Sequence, residues 1–393
     1  MINARIIYAD GMEKARDEII KIGVDKGAIP WLLPKAIHLM IKLEDISCYC
    51  ANVIKQEILS AGGDAAVHKG SVNCSTEKTD VLIMGTFDQL NRLVYKLGMQ
   101  SGILDEIAME LKLLLDTIEK PDSESFVCGK YKLGLGEKTY VMGILNVTPD
   151  SFSDGGKYFD TEEAVKKAKQ MVEDGADIID IGGESTRPGH KNVGEEEELS
   201  RVLPVIERLS KEIDIPVSVD TSKAAVAEKV LKAGANIIND VWGLQKDAKM
   251  AGVISKYNAG VVMMHNKEGT NYSDLMGNIL KFLRESVEIA EYAGINRNNM
   301  AIDPGIGFGK TLEQNLEIML RLRELKTLGL AILLGTSRKS MIGNVLELPV
   351  NERIEGTAAT VTLGIANHVD IVRVHDVKEM VRVVKMTDAM VRG

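Results

Sequence analysis

The sequence predicts an α/β protein in which a (β/α)8 TIM barrel is preceded by a smaller mixed α/β N-terminal domain. From Val127 onward, short apolar runs alternate with amphipathic segments, and two of these units are near copies of each other, at 174–180 and 233–239. The runs are apolar along their whole length, which is typical of parallel strands covered on both faces. Eight such strand–helix units in about 250 residues satisfy the requirement of a TIM barrel.

The predicted elements of the barrel follow in order. The apolar strands are expected at 142–145, 177–180, 215–220, 236–239, 259–265, 299–303, 328–335 and 369–373. The helices between and after them are expected at 161–174, 195–212, 222–233, 245–258, 274–293, 311–327, 351–366 and 376–392. Thr161 and Thr311, each followed by acidic residues, are typical capping residues at a helix start.

A doubly wound open sheet is the alternative, because it also alternates strands and helices. It ranks second, since no Gly-x-Gly-x-x-Gly follows the first strand. The glycines at Gly305, Gly307 and Gly309 lack that spacing and occur late in the chain.

The first 120 residues show a different pattern, with strands predicted at 5–8, 65–68 and 80–84. Helical spacing of apolar residues occurs at 11–24, 31–44, 46–61, 86–98 and 102–119. A polar stretch at 121–125 marks the boundary. We therefore predict an N-terminal α/β extension of unknown function at 1–120 and the barrel at 126–393.

Composition excludes several classes of protein. The 393 residues carry a formal net charge of −9, with a pI near 5.4, which disfavours a broad nucleic-acid or anionic-membrane surface. Neither a secretory signal nor an apolar run of membrane-spanning length is present, so a cytoplasmic location is expected. The spacing of the cysteines matches no zinc or disulfide framework, so we expect structural thiols at Cys48, Cys50, Cys74 and Cys128.

Polar residues follow every predicted strand of the barrel. In order they are Asn146, Asp180, Asp220, Asn239, His265 after Met264, Asp303, Ser337 to Lys339, and Arg373 with His375. The functional residues of such barrels come from the C-terminal ends of several strands. Turn chemistry explains a single polar tip such as Asn146, whereas a complete ring indicates a binding site.

The residue types in this ring indicate its chemistry. Converging carboxylates and an amide suit a flat heterocycle rich in N–H donors, which a carboxylate can bind in pairs; a metal site or paired structural acids are the alternatives. Arg373 and His375, beside a helix start, are typical of a phosphate site. Two loops rich in Gly, Ser and Pro, 148–156 and 182–189, are expected to cover the site, with ordinary surface loops as the alternative.

The ring belongs to a set of longer motifs. In chain order they are Met142-Gly-Ile-Leu-Asn-Val-Thr-Pro-Asp-Ser-Phe-Ser-Asp-Gly-Gly156, Asp180-Ile-Gly-Gly-Glu-Ser-Thr-Arg-Pro-Gly189, Val219-Asp-Thr-Ser222, Ile237-Ile-Asn-Asp240, Asp303-Pro-Gly-Ile-Gly-Phe-Gly-Lys310, Ser337-Arg-Lys-Ser-Met341 and Arg373-Val-His-Asp376. Together they closely resemble the dihydropteroate synthase family, over about the last two-thirds of the chain. The first 120 residues lie outside that resemblance.

The resemblance implies a transferase of folate biosynthesis that joins 6-hydroxymethyl-7,8-dihydropterin diphosphate to 4-aminobenzoate. It implies pterin binding by Asp220, Asn239, Met264, Asp303, Phe308, Gly335 and Lys339. It implies diphosphate binding by Asn146, Thr186, Arg373 and His375, with Asn146 acting through Mg²⁺. It implies an aminobenzoate site formed by Phe152, Thr186, Arg187, Pro188 and Ser340.

The resemblance further implies that the residues most directly involved in catalysis are Asn146, Asp180, Arg187, Asp220 and Lys339. The expected partners are the two small-molecule substrates and a second copy of the chain in a homodimer, with no nucleic acid and no membrane. Asn266 and Lys267 stand where some relatives carry a second Met, which affects only the rim of the pterin site. The competing interpretations are a methyltetrahydrofolate:corrinoid methyltransferase domain and a non-catalytic pterin-binding paralogue.

Overall fold

The computed structural model describes residues 2–9, 11–119, 124–147, 157–184 and 193–392, with only the backbone of 157–160. The chain divides into two compact units, Met1–Pro121 and Asp122–Gly393. No helix among the described residues has both the length and the apolar character needed to cross a membrane.

The N-terminal unit is a three-stranded antiparallel sheet with helices packed on it. Its strands, in the spatial order β1-β3-β2, are β1 (His38–Ser47), β2 (Asp64–Val67) and β3 (Lys78–Thr86). Its helices are α1 (Met12–Lys21), α2 (Ile29–Ala36), α3 (Cys48–Ser60), α4 (Phe87–Leu97) and α5 (Ile103–Glu119), with short 3-10 helices at Lys26–Ala28 and Lys69–Ser71. A capping box between Thr86 and Gln89 begins α4.

Two predictions for this unit are wrong. The helix expected at 31–44 ends at Ala36, and β1 begins at His38. Ile41 is buried between exposed Met40 and Lys42, and such alternation of buried and exposed side chains is typical of a strand. The segment pairs along its length with the central strand β3. The segment 5–8, expected as a strand, has no regular secondary structure.

The expectation of free thiols is also corrected, because Cys48 and Cys74 form a disulfide with their Cα atoms 5.7 Å apart. They are 26 residues apart in sequence, and this spacing does not by itself predict a disulfide. The pairing of Ser47 with Lys78 brings the start of α3 beside the loop that carries Cys74. Cys50 and Cys128 are free and buried, and burial raises the pKa of the Cys128 thiol to about 12.

The second unit is a closed barrel of eight parallel strands, as predicted, and not an open sheet. The strands are β6 (Tyr140–Asn146), β7 (Ile178–Gly182), β8 (Val217–Asp220), β9 (Ile237–Asp240), β10 (Gly260–Met264), β11 (Met300–Asp303), β12 (Ala331–Leu334) and β13 (Ile371–Val374). Each strand pairs with the next along the chain, and β13 pairs with β6 to close the barrel.

Helices surround the barrel and bury their apolar faces against it. They are α6 (Lys157–Glu173), α7 (Glu195–Glu212), α8 (Ala224–Lys232), α9 (Met250–Lys256), α10 (Leu275–Tyr292), α11 (Leu312–Arg321), α12 (Ser340–Leu346), α13 (Ile354–Ala366) and α14 (Val377–Val391), with 3-10 helices at Arg297–Asn299, Leu322–Leu328 and Val350–Glu352.

Two helix starts and one additional helix show what sequence patterns can and cannot locate. Thr311 caps α11 as predicted, through a capping box with Gln314. Thr161 does not cap α6, which begins four residues earlier at Lys157. The short helix α12 was not predicted, because it fills the loop after β12 and has little amphipathic pattern of its own.

A β-hairpin that was not predicted packs against the barrel interior. It consists of β4 (Ser125–Cys128) and β5 (Tyr131–Gly134), and its Phe126 belongs to the same apolar cluster as Met142, Val262 and Leu333 inside the barrel. A Cβ on Gly260, the first residue of β10, would lie 2.9 Å from the Phe126 ring. The hairpin therefore covers the end of the barrel at which the strands begin.

We expect Phe126→Ala to lower the free energy of unfolding of the barrel by about 3–5 kcal/mol, because the ring is fully buried and leaves a cavity. Urea unfolding followed by circular dichroism measures this. Tyr292→Ala, at a side chain that is 96% exposed, is the matched control and should change stability by less than about 0.5 kcal/mol. Equal effects of the two substitutions would contradict the packing described.

Candidate active site

A layer of polar side chains lies across the barrel at the C-terminal ends of its strands. Inward-facing residues alternate along each strand, so an apolar residue such as Ile237 or Ala301 is followed two positions later by Asn239 or Asp303. The strand register sets Asp220 beside Asn239. The side chains of Asp180, Asp220, Asn239 and Asp303 are less than one-tenth exposed, whereas those of Lys339 and Arg373 are partly exposed. Buried polar groups are usually hydrogen-bonded, and those of this layer pair with one another or with the backbone except Oδ1 of Asp180 and Oδ1 of Asp220, which have no hydrogen-bond partner among the described residues.

Arg373 is the centre of this layer. Its Nε donates to Oδ2 of Asp180 at 2.6 Å, and its Nη2 donates to Oδ2 of Asp220 at 3.0 Å. Asn239 Nδ2 donates to the same Asp180 oxygen at 3.3 Å. One guanidinium thus holds two buried carboxylates that belong to different strands.

A glycine-rich turn after β11 forms the next part of the site. Oδ1 of Asp303 accepts a hydrogen bond from the backbone N of Gly305 at 2.7 Å. Gly305 has φ +70°, and a Cβ there would lie 2.0 Å from the carbonyl oxygen of His265, so only glycine fits. The turn leads to Phe308, whose ring centroid is 4.1 Å from Nζ of Lys339.

These residues enclose one cavity at the mouth of the barrel. Its described lining consists of Asp220, Asn239, Val241, Met264, Asp303, Ile306, Phe308, Gly335, Lys339 and Arg373. All seven residues predicted to hold a pterin are among them, and the apolar side chains of Val241 and Ile306 were not predicted. The cavity therefore combines buried acceptors, one ammonium group and apolar walls.

The other predicted site residues have different positions. Asn146 ends β6, and its Oδ1 lies 3.5 Å from where a Cβ on Gly182 would be. His375 follows β13, with its Nδ1 3.0 Å from Oγ of Ser337. Ser340 is exposed and begins α12. Four predicted residues lie outside the described part of the chain: Phe152, Thr186, Arg187 and Pro188.

Burial determines the electrostatics of the cavity. It raises the pKa of Asp220 to about 7, with Arg373 opposing the shift and Asp180 adding to it. Burial likewise raises the pKa of Asp303, against the Gly305 hydrogen bond and the charge of Lys339. Both carboxyl groups are therefore easier to protonate than free aspartates.

Lys310, which was given no role from sequence, and His265, which was predicted only as a member of the strand-end ring, support the glycine-rich turn. Nζ of Lys310 lies 2.9 Å from Nδ1 of His265 and donates to the carbonyl oxygens of Gly305 and Phe308, each at 3.0 Å. Burial lowers the pKa of Lys310 to about 7, and burial together with the Lys310 charge lowers the pKa of His265 to about 3. The only feature of the sequence that indicates this role of Lys310 is its position directly after the alternating glycines Gly305, Gly307 and Gly309.

Arg338 and Arg353 hold the turn that carries Lys339. Arg338 has φ +57°, and its guanidinium pairs with Asp376. Arg353 Nη1 donates to the carbonyl oxygens of Arg338 and Lys339 at 3.0 and 3.3 Å. Arg353 lies 14 residues beyond Lys339 in sequence, and no pattern in that interval predicts the contact.

Comparison with known proteins identifies the barrel unit. Residues 142–375 match the family described as "Pterin binding enzyme". A dihydropteroate synthase of Clostridium beijerinckii is 58% identical over 265 residues, which are 67% of this chain and 98% of that protein. The structure of a dihydropteroate synthase from Clostridium difficile, solved in the presence of pteroic acid, is 56% identical in sequence and superimposes with a TM-score of 0.65. The matched region covers 68% of this chain and 100% of that protein chain.

The N-terminal unit also has a counterpart among known proteins. A Halobacterium salinarum protein, named as a probable bifunctional folylpolyglutamate synthase/dihydropteroate synthase, is 40% identical over 391 residues. The alignment covers 98% of this chain and 47% of that protein, so it includes the extension as well as the barrel. On the family match, the identity of these relatives and the shared barrel, the chain belongs to the dihydropteroate synthase family.

Proposed function

We propose that the chain condenses 6-hydroxymethyl-7,8-dihydropterin diphosphate with 4-aminobenzoate to form 7,8-dihydropteroate and diphosphate. The observation that carries this proposal is the cavity in which Asp220, Asn239, Asp303 and Lys339 converge beside Arg373. Buried acceptors next to a cationic group suit a substrate that is a flat heterocycle at one end and an anion at the other.

The pterin is proposed to occupy the cavity. Oδ1 of Asp220 is buried and has no protein partner among the described residues, so it is available to N–H groups of the ring. Lys339 can donate to a ring carbonyl or nitrogen, while Phe308 and Met264 provide apolar contact. The buried acceptors thus select a ring edge that carries several N–H donors.

The diphosphate is proposed to lie toward Arg373, His375 and Asn146. Arg373 lies on β13 and His375 directly follows that strand, which is a neighbour of β6, the strand that ends in Asn146. Helix α14 begins directly afterwards at Val377, and its N-terminus favours an anion. These groups would stabilise negative charge as it develops on the departing diphosphate.

Magnesium is proposed as the metal cofactor, with Asn146 as its protein ligand. The described residues contain no group of three or more His, Cys, Asp or Glu side chains able to hold a metal ion. Magnesium keeps several waters and binds mainly through substrate phosphates and one or two protein oxygens, and the amide of Asn146 at the end of β6 offers one such oxygen. When bound, the ion would neutralise charge on the leaving group.

The protein's own residues need to supply no strong base, because an arylamine nitrogen is neutral and nucleophilic near pH 7. Their task is to orient the pterin methylene, to stabilise the leaving diphosphate, and to offset positive charge on the pterin with Asp220 and Asp303. The aminobenzoate site is proposed to consist of Ser340 together with four residues from the segments after β6 and β7: Phe152, Thr186, Arg187 and Pro188.

A homodimer is proposed on the basis of apolar side chains exposed on three helices that contact one another, α11, α12 and α13. They are Leu316, Leu320, Val345, Leu346 and Leu363, with Val350 in the connecting 3-10 helix. Single exposed apolar residues are ordinary, whereas adjacent ones indicate an interface. A second copy of the chain would cover them.

The purified chain should release diphosphate from the pterin diphosphate only when 4-aminobenzoate and Mg²⁺ are present, with 7,8-dihydropteroate as the product. A coupled diphosphate assay and chromatography of the product measure this. Lys339→Met should lower kcat/KM by about 100-fold, because it removes a buried charge-assisted hydrogen bond. Absence of aminobenzoate-dependent release by the wild type would overturn the proposed function.

Pterin binding should weaken as the pH falls below about 7. The pKa of Asp220 is raised to about 7 in the free protein, and a protonated carboxyl group accepts N–H bonds less well than a carboxylate. The dissociation constant should therefore rise by about tenfold per pH unit below 7, as titration calorimetry with a pterin that does not ionise in this range would show. Asp220→Asn should bind weakly and lose the slope; an unchanged slope in that variant would assign the titration to another group.

The proposed dimer makes a separate prediction. Leu320 is 75% exposed on α11, and Leu320→Lys should raise the dimer dissociation constant at least tenfold, since burial of a leucine contributes about 1.5–3 kcal/mol. Sedimentation velocity measures the change. Met109→Lys, at a half-exposed site on α5 of the N-terminal unit, is the control. A monomeric wild type at micromolar concentration would rule out this interface.

A further inference from the structure

Ser337, on the turn after β12, contacts His375 twice, once through the backbone and once through the ring. The backbone N of His375 donates to Oγ of Ser337 at 3.1 Å, and Nδ1 of the His375 ring lies 3.0 Å from the same oxygen. Ser337 is only 4% exposed, so its hydroxyl group is shielded from solvent. Among the described residues, these two nitrogens are the hydrogen-bond partners of Ser337 Oγ.

The two contacts determine which atom holds each hydrogen. A backbone N–H can only donate, so that of His375 occupies one lone pair of Ser337 Oγ. The hydroxyl hydrogen needs an acceptor, because buried polar groups are generally hydrogen-bonded, and Nδ1 of His375 is the acceptor within reach. Nδ1 accepts only when it carries no hydrogen, so the neutral ring holds its hydrogen on Nε2.

An ion pair between the same two parts of the chain holds Ser337 beside His375. Arg338 donates from Nε to Oδ2 of Asp376 at 3.0 Å, and from Nη2 to Oδ1 of the same carboxylate. The backbone N of Arg338 also donates to Oγ1 of Thr357 on α13 at 3.3 Å. The turn after β12 is therefore joined to the residues after β13 by two adjacent side chains, those of Ser337 and Arg338.

The same ion pair affects the end of β13 at which an anion is proposed to bind. Asp376 directly precedes α14 but makes no capping hydrogen bond with that helix, and its carboxylate instead pairs with Arg338. An unpaired carboxylate there would compete with an anion for the helix N-terminus. His375 and the start of α14 thus face an anion without an opposing, uncompensated charge from Asp376.

We infer that Ser337 is a positioning residue that sets the tautomer of His375, so that Nε2–H of the ring donates to the diphosphate of the substrate. The inference rests on the proposed function, in which His375 binds that diphosphate. With its hydrogen on Nδ1, the neutral ring would present the lone pair of Nε2, which repels a phosphate oxygen. Ser337 is not among the described residues that line the pterin cavity, so its effect should be confined to the diphosphate.

The tautomer is measured by nuclear magnetic resonance of the full chain, isotope-labelled at its histidine nitrogens, at pH about 8, where an ordinary histidine is neutral. The chain has six histidines, and His375→Gln identifies the signal of this one. The hydrogen should lie on Nε2 in the wild type and in Ser337→Thr, which keeps the hydroxyl group, whereas Ser337→Ala should show both tautomers. Hydrogen on Nδ1 in the wild type, or an unchanged tautomer in Ser337→Ala, would overturn the inference.

Binding of inorganic diphosphate in the presence of Mg²⁺, measured by titration calorimetry, tests the consequence for the substrate. Ser337→Ala should raise the dissociation constant of diphosphate about tenfold and that of a pterin without a diphosphate by less than about twofold. Ser337→Thr should recover most of the loss. Ser286→Ala is the matched control, because Ser286 on α10 is fully buried and its Oγ likewise accepts one hydrogen bond and donates another; it should resemble the wild type.

The outcomes of these experiments distinguish the inference from the proposed function. An unchanged dissociation constant of diphosphate in Ser337→Ala, or equal losses for diphosphate and pterin, would overturn the link between the tautomer and the substrate. A wild type that lacks synthase activity would overturn the proposed function alone, since the resonance measurement requires neither substrate nor catalysis.

Discussion

The site depends on the interaction of Arg373 with Asp180 and Asp220. Two carboxylates this deeply buried cannot lie close together in charged form without a counter-ion, because desolvation and mutual repulsion both act against their charged forms. The guanidinium fulfils this role from β13, the last strand, while its partners come from β7 and β8. Pairing of β13 with β6 brings the last strand close to the second and third strands, so this part of the site requires the closed barrel.

Support for this layer comes from cations that bind backbone carbonyls. Lys310 holds the glycine-rich turn through two carbonyl oxygens, and Arg353 holds the turn of Lys339 through two more. Both turns contain residues with positive φ; Gly305 adopts it readily, whereas Arg338 keeps it only where the surroundings enforce it. The turns that carry cavity-lining side chains are therefore held in place by Lys310 and Arg353, which do not line the cavity themselves.

The barrel and its ring of strand-end residues could be predicted because both follow from local patterns. A strand's apolar run and the polar residue at its tip, as at Asp220 or Asp303, are adjacent in sequence. The contacts of Lys310 and Arg353 could not be predicted, since each depends on where a carbonyl oxygen lies after folding. The same limit explains β1, whose apolar spacing suits a helix until β3 is available for pairing, and the disulfide that β1 and β3 bring together.

The residues proposed for the two substrates lie in different structural surroundings. The residues assigned to the pterin lie on barrel strands bonded on both sides, or on turns tied down by Lys310 and Arg353. Of those assigned to aminobenzoate, the described residue Ser340 begins α12, and Glu184, which ends the described part after β7, pairs with Lys223, which also pairs with Glu198 of α7. Because backbone pairing is cooperative around the barrel whereas a single ion pair is not, the geometry of the cavity depends on the strands and on these two turns more than on the ion cluster of Glu184, Glu198 and Lys223.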